Sequence, residues 1–271
     1  MAFVPVCDLQ MYYEIHGTGP RLLSISVTGG DLRRSPNIFE MPIARLFEIL
    51  AYDQRGLGQT SRPDILYTMA DYADDANALL EAVGWDCCSV IGISFGGMVA
   101  QEFALRYPHR VGRLVLACTS SGGVGGASYP LHELVGLPVE DYARRILELS
   151  DTRRDEAWQV ANPTQFQALF DQVLAGLRVG AEESGHKIGF RRQLEARSHH
   201  DTYERLPALW MPVYICGGRY DGIATPANLE AMQKQIPGAR LELFEGGHLF
   251  YIQDSRAFDR IVAFLRGELD R

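Results

Sequence analysis

A serine set among glycines, in Gly92-Ile93-Ser94-Phe95-Gly96-Gly97, is where this chain most directly offers covalent chemistry. The apolar run Ser89 to Ile93 precedes it and reads as a buried strand, and a helical pattern follows from Met98 to Tyr107. A strand that turns into a helix this sharply crowds its own backbone, so the flanking side chains must be nearly absent. The apex hydroxyl then stands at a helix N-terminus, where the dipole favours developing negative charge. That combination is the nucleophile elbow.

A serine hydroxyl is a weak nucleophile at neutral pH. It needs a general base, and the base needs an orienting carboxylate. Of the seven histidines, His248 lies in Glu245-Gly246-Gly247-His248-Leu249-Phe250, between a last strand, Ala239 to Phe244, and a last helix, Ser255 to Leu269. A loop there reaches the carboxyl end of a sheet, beside Ser94. Asp221, in Gly217-Gly218-Arg219-Tyr220-Asp221-Gly222, follows the preceding strand, Pro212 to Gly217. Asp221 could instead cap the helix at Pro226, and His248 could be a turn residue. Asp53 is a rival carboxylate, but its place beside Arg55 reads as a structural ion pair.

The elements that must position these groups follow from periodicity. Residues 3 to 16 alternate and end in a Gly/Pro cluster, so they read as an antiparallel edge hairpin. Leu22 to Val27 and Glu48 to Tyr52 read as strands, with a helix from Ile38 to Phe47 between them. Met69 to Val83 is helical, with Tyr72, Ala76, Leu79, Leu80 and Val83 on one face, and Val111 to Ala117 is a strand. Strand and helix alternate from residue 22 to 117, which predicts an α/β, doubly wound, mostly parallel sheet. The pattern then breaks. Thr119 to Ala127 reads as a flexible crossing, and residues 130 to 205 hold helical patterns and no good strand. The clearest is the stripe Phe166, Leu169, Phe170, Val173, Leu174 and Leu177, which either glues its helix to neighbours or roofs a pocket. The expected division is a core of residues 1–121 and 206–271, with 122–205 a helical cap inserted over the strands' carboxyl ends, where ligands bind in open α/β sheets.

The order Ser94, Asp221, His248 and the motifs Asp53-Gln54-Arg55-Gly56-Leu57-Gly58, Gly92 to Gly97, Gly218 to Asp221 and Gly246-Gly247-His248 resemble the α/β-hydrolase fold superfamily. The likeness is to the capped branch of enol-lactonases, carboxylesterases and carbon–carbon bond hydrolases, and it covers residues 10 to 120 and 206 to 268. The resemblance implies an eight-stranded sheet with helices on both faces. It implies Ser94 as nucleophile, His248 as base and then acid, and Asp221 as orienting acid, with no metal and no organic cofactor. An oxyanion hole needs two backbone amides. Phe95 supplies one. The other belongs to the loop after the Leu22 strand, where the family usually has His-Gly-x and this chain has Ser26-Val27-Thr28. A β-branched residue at the glycine position leaves two options, Thr28 as donor or a shift to Gly29, and Thr28 is favoured.

In the cap, Arg191, Arg192 and Arg197 could hold a substrate carboxylate or form a solvated face. His199, His200 and Asp201 lack metal-ligand spacing. Substrate contacts are assigned to Gly29, Phe166, Phe170, His200 and Leu249. Serine rather than aspartate at the elbow argues against halide displacement and epoxide opening through an ester intermediate. Acyl chemistry remains, on a carboxylic ester or lactone. Carbon–carbon hydrolysis of a diketone ring-cleavage product is the alternative, and a non-catalytic small-molecule receptor the reading from another class. A net charge of −8 argues against nucleic acid and anionic membrane, and the sequence leaves open whether the chain forms a homo-oligomer. The five cysteines form no Cys-x-x-Cys pair, Cys118 and Cys216 fall in apolar strands, and the first residues lack a leader pattern, so the expected setting is the cytoplasm.

Overall fold

The structure, a computed structural model, describes residues 2–269. Eight strands form one sheet: β1 (Ala2–Val6), β2 (Leu9–His16), β3 (Arg21–Ile25), β4 (Glu48–Tyr52), β5 (Cys88–Ile93), β6 (Val111–Ala117), β7 (Val213–Gly218) and β8 (Arg240–Phe244). Their spatial order is β1-β2-β4-β3-β5-β6-β7-β8. The β1–β2 and β2–β4 pairs are antiparallel and the other five are parallel. β5, which leads to Ser94, sits in the middle of the sheet.

Strand period two divides the core. Val90, Leu114, Leu116 and Ile215 face one layer, while Ile91, Val115, Tyr214 and Cys216 face the other. Burial on both faces explains why these strands read as near-continuous apolar runs. On the first face lie α1 (Met69–Ala82), α2 (Phe95–Arg106) and α7 (Pro226–Gln235). On the second lies α9 (Arg256–Leu265), preceded by the short α8 (Phe250–Gln253). α1 starts where its sequence says it should. The Thr68 hydroxyl accepts the Asp71 amide at 3.1 Å and the Asp71 carboxylate accepts the Thr68 amide at 2.7 Å, a reciprocal cap that satisfies two orphan donors. Tyr72, Ala76, Leu79 and Leu80 are fully buried.

Two expectations need correction. Ile38 to Phe47 is not one helix but two 3₁₀ turns, Ile38–Glu40 and Pro42–Arg45. Pro42 forces Met41 out of the helical region, to φ −81° and ψ 154°, because its ring clashes with a preceding α-conformation. The first part of Thr119 to Ala127 is not a loose crossing either, although Val124 further on is exposed. Thr119, Ser120 and Ser121 are fully buried. The Ser120 carbonyl accepts Gln101 Nε2 at 3.0 Å, and the Ser121 carbonyl accepts the Thr202 amide at 2.8 Å. Ser/Gly composition suggested mobility, whereas here small side chains let the chain run deep between elements.

Between β6 and β7 the chain forms α3 (Val139–Ser150), α4 (Glu156–Ala161), α5 (Pro163–Arg178) and α6 (His186–Ser198). An isolated antiparallel bridge joins Gly122 to Asp201, where this excursion leaves and where it returns. No helix among the described residues is long and apolar enough to cross a membrane.

Candidate active site

Ser94 lies between β5 and α2 at φ 57° and ψ −116°, a region that side-chain-bearing residues rarely occupy and that the surroundings must impose. What imposes it is close approach. A Cβ on Gly92 would fall 2.4 Å from the Gly96 carbonyl oxygen, and one on Gly96 2.0 Å from that of Ile25. Only glycine fits at either place, so β5 and α2 meet closely enough to pinch the serine outward. The Ser94 amide donates to the Ala117 carbonyl at 2.8 Å, fixing the turn to β6.

His248 and Asp221 come from the loops after β8 and β7. His248 Nδ1 is 2.8 Å from Asp221 Oδ2, and His248 Nε2 is 2.9 Å from Ser94 Oγ. Asp221 Oδ1 accepts the amides of Ile223 and Ala224 at 2.8 and 3.0 Å. The aspartate therefore orders its own loop with one oxygen and meets the imidazole with the other. Since a carboxylate only accepts, the proton between them sits on Nδ1, which leaves Nε2 to accept from the serine hydroxyl. All three residues are less than 10% exposed. The His248 loop is held from α3: the His248 amide donates to the Ser150 carbonyl at 2.6 Å.

In the loop after β3, Gly29 carries the positive φ, +67°, and Val27 does not. Val27 thus escapes the strain a β-branched residue would suffer, and a Gly30 amide to Val27 carbonyl bond of 3.1 Å closes the turn. The Gly29 amide donates to Gln193 Oε1 of α6 at 2.8 Å, so it is already spent. The Thr28 and Phe95 amides have no acceptor among the described residues; Phe95, first residue of α2, has no intrahelical acceptor by rule.

A cavity of about 450 Å³ opens over Ser94 and His248, and Val27, Thr28 and Leu249 line it. From α5 it takes Leu169, Val173 and Leu177, not Phe166 and Phe170. Those two rings stack on each other with centroids 5.9 Å apart, under the Arg144 guanidinium. The stripe is real, but α5 turns its i, i+4, i+8 leucine-valine edge to the cavity and its aromatic edge to α3. Gly29 and His200 are also outside the cavity lining. His200 lines a separate hollow of about 70 Å³ with Arg197, its Nε2 3.2 Å from the Ser120 carbonyl oxygen. Burial pushes its pKa down to about 3, so it is neutral.

Other charged residues sort differently from their sequence reading. Asp53 does not pair with Arg55; it accepts the Leu32 and Gln59 amides at 2.7 and 2.8 Å, and burial raises its pKa to about 6. Arg55 instead holds Asp75 and Asp8. Arg191 and Arg192 form surface pairs, with Glu195 and with Asp64 and Glu195. Arg197 is buried and donates to the Tyr129 carbonyl and the Ser128 hydroxyl. No cluster of three or more His, Cys, Asp or Glu suited to a metal occurs among the described residues. Sequence reasoning missed Gln193, Arg34 and Arg154. Nothing in their local patterns marks them, since they meet the site only through tertiary packing.

A mostly parallel sheet covered on both faces, with a strained serine, a histidine and an aspartate gathered at the carboxyl ends of its strands, defines a class of α/β protein. Residues 42–143 match the family described as the alpha/beta hydrolase fold. A poly(3-hydroxyalkanoate) depolymerase of Ectopseudomonas oleovorans is 30% identical over 228 residues, which cover 83% of this chain and 77% of that protein. The chain belongs to the α/β-hydrolase fold family. A 2-hydroxymuconate semialdehyde hydrolase of Pseudomonas putida is 28% identical, over 94% of this chain and 86% of that one. The enol-lactonase of Burkholderia xenovorans LB400 superposes with a TM-score of 0.75 at 21% identity, over 99% and 98% of the two chains; at that identity the likeness speaks to the fold.

Proposed function

We propose that this protein is a serine hydrolase that cleaves a carboxylic ester or a lactone. The observation that carries the reading is the unbroken hydrogen-bond path from Asp221 through His248 to Ser94, at 2.8 and 2.9 Å. Along it, His248 Nε2 takes the hydroxyl proton as Ser94 Oγ attacks the substrate carbonyl carbon. The oxyanion is received by the Phe95 and Thr28 amides. His248 then returns the proton to the leaving alkoxide oxygen, and an acyl-enzyme on Ser94 remains. Water, deprotonated by His248, attacks that ester, and the carboxylic acid departs as the proton returns to Ser94 Oγ. Every proton is handled by these side chains. The helices of residues 122–205 serve as a lid, with Leu169, Val173 and Leu177 as the apolar roof.

A fluorophosphonate probe and p-nitrophenyl acetate test this. Labelling and turnover should both vanish in Ser94→Ala, with kcat down by about 10⁴-fold or more. Turnover equal in the wild type and Ser94→Ala would sink the reading. The relation to a 2-hydroxymuconate semialdehyde hydrolase supports a second one, carbon–carbon hydrolysis of a diketone through the same three residues. The products separate them: an acid and an alcohol from an ester, against loss of a coloured dienoate by cleavage coupled to ketonisation.

A further inference from the structure

The cavity over Ser94 is lined by two guanidinium groups, Arg34 and Arg154, and by no aspartate or glutamate among the described residues. In a chain of net charge −8, that composition runs against the whole. Several other arginines are ion-paired: Arg33 with Asp31 and Glu183, Arg55 with Asp75 and Asp8, Arg205 with Glu102; buried Arg197 at least spends its donors on the Tyr129 carbonyl and the Ser128 hydroxyl. Arg34 makes no ion pair or side-chain hydrogen bond among the described residues, and its Nε is buried without a partner. The carboxylates whose field reaches it are engaged elsewhere: Asp31 with Arg33 at 2.7 Å, Asp53 with two backbone amides. Arg154 has one carboxylate in reach, Asp151 at 3.9 Å, and Arg153 already grips that group at 2.7 and 2.8 Å. Burial lowers the pKa of both Arg34 and Arg154 from the ordinary arginine value, as it does for a cation short of counter-charge. Guanidinium nevertheless keeps its proton in proteins. A desolvated cation without a partner is costly, and here Arg34, unpaired among the described residues, and Arg154, whose one carboxylate is shared with Arg153, face the space a substrate must fill.

We propose that Arg34, assisted by Arg154, is a carboxylate-binding subsite, so that the ester or lactone opened at Ser94 also carries a free carboxylate. This rests on the serine-hydrolase reading above. The planar fork of a guanidinium matches the two oxygens of a carboxylate. Ile146, Leu169, Val173 and Leu177 supply an apolar wall in the same cavity, suited to a short hydrocarbon spacer between the reacting carbonyl and the acid. The predicted substrate is therefore a small amphipathic acid ester or carboxylactone, not a long neutral chain.

The test compares mono-p-nitrophenyl glutarate, which keeps a free carboxylate, with neutral p-nitrophenyl pentanoate of equal chain length. The wild type should favour the acid ester in kcat/KM. Arg34→Gln should lower the acid-to-neutral ratio by about 30-fold or more, through KM, as loss of one partner of a buried charge pair does. Arg34→Lys should lose less. A wild-type ratio at or below one, or an Arg34→Gln protein that keeps the ratio, overturns the subsite. If Arg34→Gln does not fold, the wild-type ratio and Arg34→Lys decide by the same rule. Failure of the hydrolase reading looks different: neither ester is turned over, and calorimetric binding of glutarate then decides. Binding that Arg34→Lys or Arg34→Gln weakens supports the subsite, and no binding or binding indifferent to Arg34 overturns it.

Discussion

At the scale of single residues, Asp221 separates two jobs that one substitution can tell apart. One of its oxygens holds the Ile223 and Ala224 amides and the other meets His248. Asp221→Asn can keep the amide bonds through its carbonyl oxygen while presenting an NH₂ to Nδ1, which pushes the imidazole into the wrong tautomer. We expect kcat to fall by about 10⁴-fold with the melting temperature nearly unchanged, checked by steady-state kinetics beside a thermal melt. Gln193 works at one remove, through its 2.8 Å bond to the Gly29 amide. Gln193→Ala frees the turn that presents the Thr28 amide, and kcat on p-nitrophenyl acetate should drop about 10- to 100-fold with KM little changed. Equal loss in kcat and in stability would point to packing alone. Ser94, Asp221 and His248 could be picked from sequence because each sits in a glycine-marked loop at a strand end, a local signal. Gln193, Arg34 and Arg154 could not, because nothing within several residues of them encodes which loop they will touch.

At the scale of elements, the strands were readable because burial on both faces makes them continuous apolar runs, and α1 because Tyr72, Ala76, Leu79 and Leu80 recur at helical spacing on its buried face. The 38–47 stretch failed as a helix because Pro42 outweighs an apolar pattern of helical appearance. The stripe on α5 was legible as a stripe, but its rotation about its own axis is set by α3 and the core. That is why Phe166 and Phe170 were expected in the cavity and Leu169, Val173 and Leu177 occupy it. Val173→Phe should narrow the cavity, raising KM several-fold for p-nitrophenyl octanoate more than for the acetate; equal shifts for both would remove α5 from the roof. Gly96→Ala places a Cβ 2.0 Å from the Ile25 oxygen, and backbone cannot yield cheaply there. It should cost about 3 kcal/mol or more, measured by chemical denaturation.

At the scale of the whole molecule, strand–helix alternation breaks after residue 117, and the chain there runs through α3 to α6 before β7. What composition could not convey is how firmly Thr119 to Ser121, the start of the Ser/Gly-rich join, are buried. His200 sits at that join, 6% exposed, with its pKa lowered from 6.5 to about 3. The unfolded chain therefore binds a proton that the folded one refuses between those values. Stability from this group is complete above about pH 6.5 and declines as the pH falls toward 3, by at most ~1.4 kcal/mol per unit. Melting temperatures of His200→Gln should fall less than those of the wild type between pH 7 and 5, and parallel curves would count against it. The segment also reaches back into the sheet's machinery at two points. The last residue of α3 holds the His248 amide through the Ser150 carbonyl, and α6 holds the Gly29 amide through Gln193. A protein built this way has no interchangeable parts: trading its α3–α6 segment for a homologous one, as an engineer might to change specificity, would also disturb the His248 loop and the Gly29 turn, so hybrids should inherit altered rates along with altered selectivity.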